Sequence, residues 1–186
     1  FDRWAHQWRQ RHAQGAVIFV RYADDIVAGF EHETDAARFL ADLKERVAQF
    51  ALSLNPDKTR MIEFGRYAAA NRERRGLGKP ETFAFLGFTH ICAKSRRGGF
   101  QLRRKTRRDR MRAKLAAIKE ELRQHLHASI PEQCSWLRQV VRGYFAYHAV
   151  PTNSAALSAF RYFVSQLWLR SRRQRRCGVG AGARAV

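Results

Sequence analysis

Ala23-Asp24-Asp25 interrupts two apolar runs, Val17-Ile18-Phe19-Val20-Arg21-Tyr22 before it and Ile26-Val27-Ala28-Gly29-Phe30 after it. Both runs are rich in strand-forming residues, and a short acidic break between them predicts a β-hairpin. Two carboxylates at a hairpin tip cannot be buried unpaired; they must be hydrated, neutralised or metal-bound. Magnesium is the hard, oxygen-seeking partner for such a pair. Taken alone, the tetrapeptide Tyr22-Ala23-Asp24-Asp25 is more simply a polar turn, because Asp is common in turns.

Working outward, Trp4, Ala5 and Trp8 stand at helical spacing in residues 1–13, and Gly15 closes that helix. On the other side, Thr34 can cap a helix over 35–50 whose Phe39, Leu40, Leu43, Val47 and Phe50 form one apolar face. Asn55-Pro56-Asp57 is a turn sequence, and Thr59 to Phe64 reads as a strand. Residues 65–80 read as an exposed basic loop, and Phe83 to Ile91 is strand-like. Ser95 to Gly99 forms a hairpin turn, with Phe100-Gln101-Leu102 returning.

The character changes near Thr106, where Thr106-Arg107-Arg108-Asp109 resembles a capping box with Asp in place of Glu. Met111, Leu115, Ile118, Leu122 and Leu126 then follow at helical steps. Pro131 breaks the pattern. Ser135 can cap a second helix bearing Trp136, Val140 and Tyr144. Beyond Pro151, a third helix over about 154–170 presents Leu157, Phe160, Val164, Leu167 and Trp168. The expected fold class is therefore α+β: β-hairpins and a helix over 1–104, a basic three-helix segment over 105–175, and a Gly/Ala-rich tail over 176–186 expected to be disordered.

Net charge is +20, and its placement is informative. Residues 1–93 hold 14 Lys/Arg against 12 Asp/Glu, a net +2, while residues 94–186 hold 22 against 4, a net +18. A near-neutral front joined to a very basic rear implies a dedicated polyanion surface. No run of about 18 apolar residues suggests a membrane span. Cys92, Cys134 and Cys177 are far apart, with no paired Cys/His spacing for zinc or a disulfide framework. An intracellular, cytoplasmic and nucleic-acid-associated location fits. His125 and His127, two apart on a helix, do not share a face and read as surface residues. Phe1-Asp2-Arg3-Trp4 is neither an initiator nor a signal peptide, so the chain is expected to begin inside a larger protein.

The ordered set of YADD (22–25), a helix, Leu52-Ser53-Leu54-Asn55-Pro56-Asp57-Lys58-Thr59, a basic loop and Phe85-Leu86-Gly87-Phe88 resembles the palm of group II intron reverse transcriptases. Trp136-Leu137 and Val141-Arg142-Gly143-Tyr144-Phe145-Ala146-Tyr147-His148 resemble the thumb, or maturase domain X, of that family. The likeness covers about residues 1–175. It implies an RNA-directed DNA polymerase and intron maturase whose partners are group II intron RNA, a DNA primer or target, and deoxynucleoside triphosphates. Its cofactor would be Mg2+, used as a metal pair.

By this resemblance Asp24 would be a direct metal ligand and Asp25 the weaker second one, with Tyr22 and Ala23 near the primer end. Lys58 would serve the leaving pyrophosphate; the other reading is a surface lysine in a turn. Phe85, Leu86, Gly87 and Phe88 would grip the primer, or the two Phe residues would simply pack a core. Arg103, Arg104, Lys105, Arg107, Arg108, Arg110, Arg112 and Lys114 would bind RNA phosphates at the thumb entrance. Tyr147 and His148 would make exposed RNA contacts. The family's fingers and first palm aspartate have no counterpart here, so the piece alone is expected to be inactive in synthesis. Two other readings stay open: a structured-RNA-binding module without catalysis, and a reverse transcriptase of another lineage such as a retron.

Overall fold

A computed structural model of the chain describes residues 1–182, with side chains through residue 174. The fold is α+β, and it forms two compact units, Phe1–Glu63 and Phe64–Val186. The units divide forty residues before the compositional change near 104.

In the first unit, helix α1 (Asp2–His12) precedes the antiparallel pair β1 (Val17–Tyr22) and β2 (Asp25–Phe30), and helix α2 (Glu33–Ala48) follows. A lone two-stranded sheet is marginal in water and needs a packing partner. Here one face of the hairpin supplies Phe19, Ala28 and Phe30 to a core with Ala5, Trp8, Phe39 and Leu43. Phe39 sits centrally, in ring contact with Trp4, Trp8, Phe19 and Phe30. Trp8 Nε1 donates to Asp42 (2.6 Å), tying α1 to α2.

Thr34 is not the cap of α2. The helix starts at Glu33, two residues before the expected 35, and its N-cap is His32. The buried Asp35 carboxylate instead accepts the amides of Gln14 and Gly15 (2.9 and 3.1 Å), fixing the chain between α1 and β1. Gly15 is needed there because a Cβ would lie 2.6 Å from the His32 ring. The strand expected over Thr59–Phe64 does not form, since no strand pairs with it among the described residues.

The second unit begins with helix α3 (Ala68–Arg74), inside the stretch expected to be loop. The strand-like run over Phe83–Ile91 is two strands, β3 (Phe83–Phe85) and β4 (Phe88–Lys94), and β5 (Phe100–Thr106) completes an antiparallel sheet of order β3-β4-β5. Three helices follow: α4 (Arg108–Gln124), α5 (Ile130–His148) and α6 (Ser154–Gly182). Their core is Ile118, Leu122, Leu137, Tyr144, Phe160 and Val164. Phe160 is 0% exposed and stacks on Tyr144.

Two helix starts differ from expectation. Thr106 does not cap α4, because β5 runs through it and its hydroxyl accepts from Asn153 Nδ2 (2.8 Å). Pro131 does not break a helix: it lies in the first turn of α5, where a missing N–H is harmless. The capping box there is Ser129 with Glu132, which places Ser135 inside the helix. Helix α6 continues past residue 170 to Gly182, so part of the stretch expected as a tail is helical, and residues 183–186 lie outside the described residues.

Residue 104 is not a boundary in space, because β5 is bonded to the chain between α5 and α6. Arg104 N donates to Thr152 Oγ1 (2.9 Å), and Thr106 N donates to Asn153 Oδ1 (3.0 Å). The polar set behind these contacts, Thr106, His148 and Asn153, is buried.

Candidate functional site

The acidic turn is built by its register. Tyr22 pairs with Asp25, so Ala23 and Asp24 are the two loop residues of the hairpin. Ala23 has φ +53° and Asp24 has no positive φ. A positive φ at the first loop position alone is the type II′ pattern, which favours glycine. A non-glycine residue in this region stores about 1–2 kcal/mol. The aromatic core beneath β1 and β2 sustains that strain.

Tyr22, Ala23, Asp24 and Asp25 are all exposed, and Tyr22 reaches 65%. Neither aspartate side chain has a hydrogen bond or ion pair among the described residues. The nearest cation in sequence, Arg21, is committed elsewhere: it forms a two-pronged pair with Asp2 (2.9 and 2.6 Å) and donates to the Ala23 carbonyl (3.2 Å). That pair holds the Asp2 carboxyl below its usual range. The turn therefore presents two free carboxylates on a rigid support.

Magnesium is commonly bound through one or two carboxylates, with waters and substrate phosphates completing the shell. Asp24 and Asp25 fit that mode. They do not make a protein-only cage, because no group of three His, Cys, Asp or Glu is placed to hold an ion among the described residues.

Lys58 lies on a different turn of the same unit. Asn55 Oδ1 accepts the amides of Asp57 and Lys58 (3.0 and 3.1 Å), and Thr59 N bonds Asn55 O (2.9 Å). The Lys58 side chain is exposed.

In the second unit, Phe85 pairs with Phe88, which makes Leu86-Gly87 a two-residue loop. Both residues have positive φ, +48° and +75°, as a type I′ turn requires. Glycine is at home there and leucine is not. The loop is held from two sides: the Tyr147 hydroxyl donates to Leu86 O (3.0 Å), and Arg107 N donates to Gly87 O (3.1 Å). Phe88 is buried against the rings of Tyr147 and His148. The spacing of FLGF points to this hairpin; its anchorage on Tyr147, sixty-one residues away, has no local sequence signal.

The basic cluster divides by its surroundings. Arg103, Lys105, Arg108, Arg110, Arg112 and Lys114 are exposed. Arg107 is half-buried and paired with Asp109 (2.6 Å), and Arg104 is half-buried with Nε unpartnered. Lys105, Arg107 and Arg108 line one shallow cleft with Thr89 and Thr106.

Tyr147 is 56% exposed, as expected, although its hydroxyl is spent on Leu86. His148 is a correction. It is 8% exposed, packed on Tyr144, with Nδ1 3.3 Å from the Thr106 hydroxyl. Burial lowers its pKa, so it is a core histidine rather than a surface contact. His90, stacked on Phe83 and paired across the sheet with Arg104, is lowered by burial and by that charge.

No helix among the described residues is long and apolar enough to cross a membrane. No curated protein matches the chain. One family model does, and the general partners of that family are nucleic acid and deoxynucleoside triphosphates. Residues 1–90, which include both the Asp24–Asp25 turn and the Phe85–Phe88 hairpin, match the reverse transcriptase (RNA-dependent DNA polymerase) family, and this front part of the chain is similar to those polymerases.

Proposed function

We propose that this chain is the rear palm and thumb of a group II intron-encoded reverse transcriptase and maturase. It would copy RNA into DNA and bind its intron RNA, a DNA primer and deoxynucleoside triphosphates. The observation that carries the reading is the exposed, unpartnered Asp24–Asp25 pair on a strained hairpin turn, inside the stretch that matches the polymerase family. Asp24 and, more weakly, Asp25 would hold Mg2+, which when bound activates the attacking hydroxyl and steadies the leaving phosphate. Lys58 is assigned to neutralise or protonate the leaving pyrophosphate. Tyr22 and Ala23, and Phe85 to Phe88, are assigned to the primer strand. The exposed cations between Arg103 and Lys114, with Tyr147, are assigned to RNA.

Only two candidate carboxylates meet at the turn, so residues 1–186 by themselves are expected to extend no primer. They should nevertheless bind group II intron RNA more tightly than an unrelated structured RNA of equal length. Primer extension with magnesium that disappears in Asp24→Ala would overturn the expected inactivity. Equal affinity for the two RNAs would overturn the maturase assignment. A second reading, an RNA-binding module without catalysis, is favoured by the separate core of the rear unit. A polymerase completed with fingers and an earlier palm strand separates the two, since the module reading allows no synthesis there.

A further inference from the structure

Helix α6 carries Arg161, Arg170, Arg172 and Arg173 and has no Asp or Glu from Ser154 to Gly182. Its core-facing side is filled by Phe160 and Val164. Two large rings are nevertheless left in water: Tyr162 is 59% exposed and Phe163 is 46% exposed. They meet edge to face, with centroids 5.6 Å apart. Burying a ring of this size is ordinarily favourable, so an adjacent exposed pair calls for an explanation.

The two rings line an open groove of about 350 Å³ between α4 and α6. Leu115 and Lys119 come from α4, and Leu167 and Arg170 from α6. No carboxylate lines it. Apolar walls, two exposed rings and two cations without a counter-charge form the combination that binds unpaired nucleic acid: rings stack on bases, and the cations meet phosphates without regard to sequence. A duplex keeps its bases stacked inside, so such rings offer it little. No member of the Arg103–Lys114 cluster lines the groove, and Lys119 lies five residues beyond Lys114, about 7.5 Å along the helix.

We propose that the α4–α6 groove is a second nucleic-acid site that takes a single strand, with bases on Tyr162 and Phe163 and phosphates at Lys119 and Arg170. The proposal rests on reading the chain as a nucleic-acid-binding protein and goes beyond it in location and strandedness. The test uses the full chain, a labelled 12-nucleotide single-stranded RNA and a blunt RNA duplex. Anisotropy titrations compare the unchanged protein with the Tyr162→Ala/Phe163→Ala double variant, and photocrosslinks on the unchanged protein are mapped by mass spectrometry.

Stacking is worth at least about 1 kcal/mol per base, so losing two should lower single-strand affinity about 30-fold or more, with duplex affinity changed less than about twofold. Crosslinks should fall on Tyr162 or Phe163. Both rings are exposed, so the thermal midpoint of the double variant should stay within a few degrees. Single-strand affinity unaltered in the double variant, with crosslinks elsewhere, would overturn the groove while leaving RNA binding intact. Absence of binding to either RNA by the unchanged protein would overturn the broader reading and the groove with it. An acidic amphipathic peptide that protects the groove, while single strands do not crosslink there, would assign it to a protein partner instead.

Discussion

Replacing Asn153 by Ala should do more damage than its size suggests. Asn153 is 1% exposed and makes three bonds: it accepts from Thr106 N (3.0 Å) and donates to the Thr106 hydroxyl and the His148 carbonyl (both 2.8 Å). One of its partners, Thr106 N, is a main-chain donor that Ala leaves unpaired, whereas the His148 carbonyl keeps the amide of Val150 (2.8 Å). Stranding that Thr106 amide costs about 1–3 kcal/mol, so a loss of about 2 kcal/mol is expected for the rear unit. With a urea slope of about 2 kcal/mol per molar, that loss lowers the midpoint by about 1 M. Urea unfolding followed by NMR peak intensities of the Thr106 and Ile118 amides reads this unit alone. A midpoint shift under about 0.3 M would show that water replaces the side chain and that the bonds do not hold β5 to the helices.

The buried histidines give the rear unit a pH dependence. His148 and His90 have folded pKa values below the ordinary 6.5, so between those values the unfolded chain binds more protons. Stability should be flat above about pH 7 and fall as pH drops below 6.5; a midpoint that rises on acidification would contradict this. Leu86→Asn would create Asn-Gly in a type I′ turn, relieving the strain of leucine at φ +48°. A gain of about 1 kcal/mol in urea unfolding is expected, and a loss would mean that Leu86 packing outweighs the strain.

Much of the fold was legible because the apolar periods are long. The steps from Met111 to Leu122, and those from Leu157 to Trp168, placed helices whose cores are as expected. The hairpin around Asp24 and Asp25 was legible from two runs of strand-forming residues on either side of a short acidic break. Thr106 was misread because it was given the nearest helix end when a distant partner holds it. Its amide and hydroxyl are taken by Asn153, and the hydroxyl also faces His148. His148 was expected to be exposed together with its neighbour Tyr147. Its burial comes from Phe88 and Tyr144, one on the sheet and one a helical turn earlier. The anchoring of Leu86 by Tyr147 is likewise a contact between residues that no local pattern connects.

The polymerase reading turns on Asp24, which is exposed and partnerless and so contributes almost nothing to folding. Its most direct test is single-turnover nucleotide incorporation by a polymerase completed with fingers and an earlier palm strand, comparing Asp24→Asn with the unchanged protein. Incorporation should fall by at least about 10²-fold, the lower range for removing one charged catalytic group, while the unfolding midpoint and RNA affinity stay put. Incorporation within a few-fold of the unchanged protein would contradict the account and return Asp24 to a polar turn.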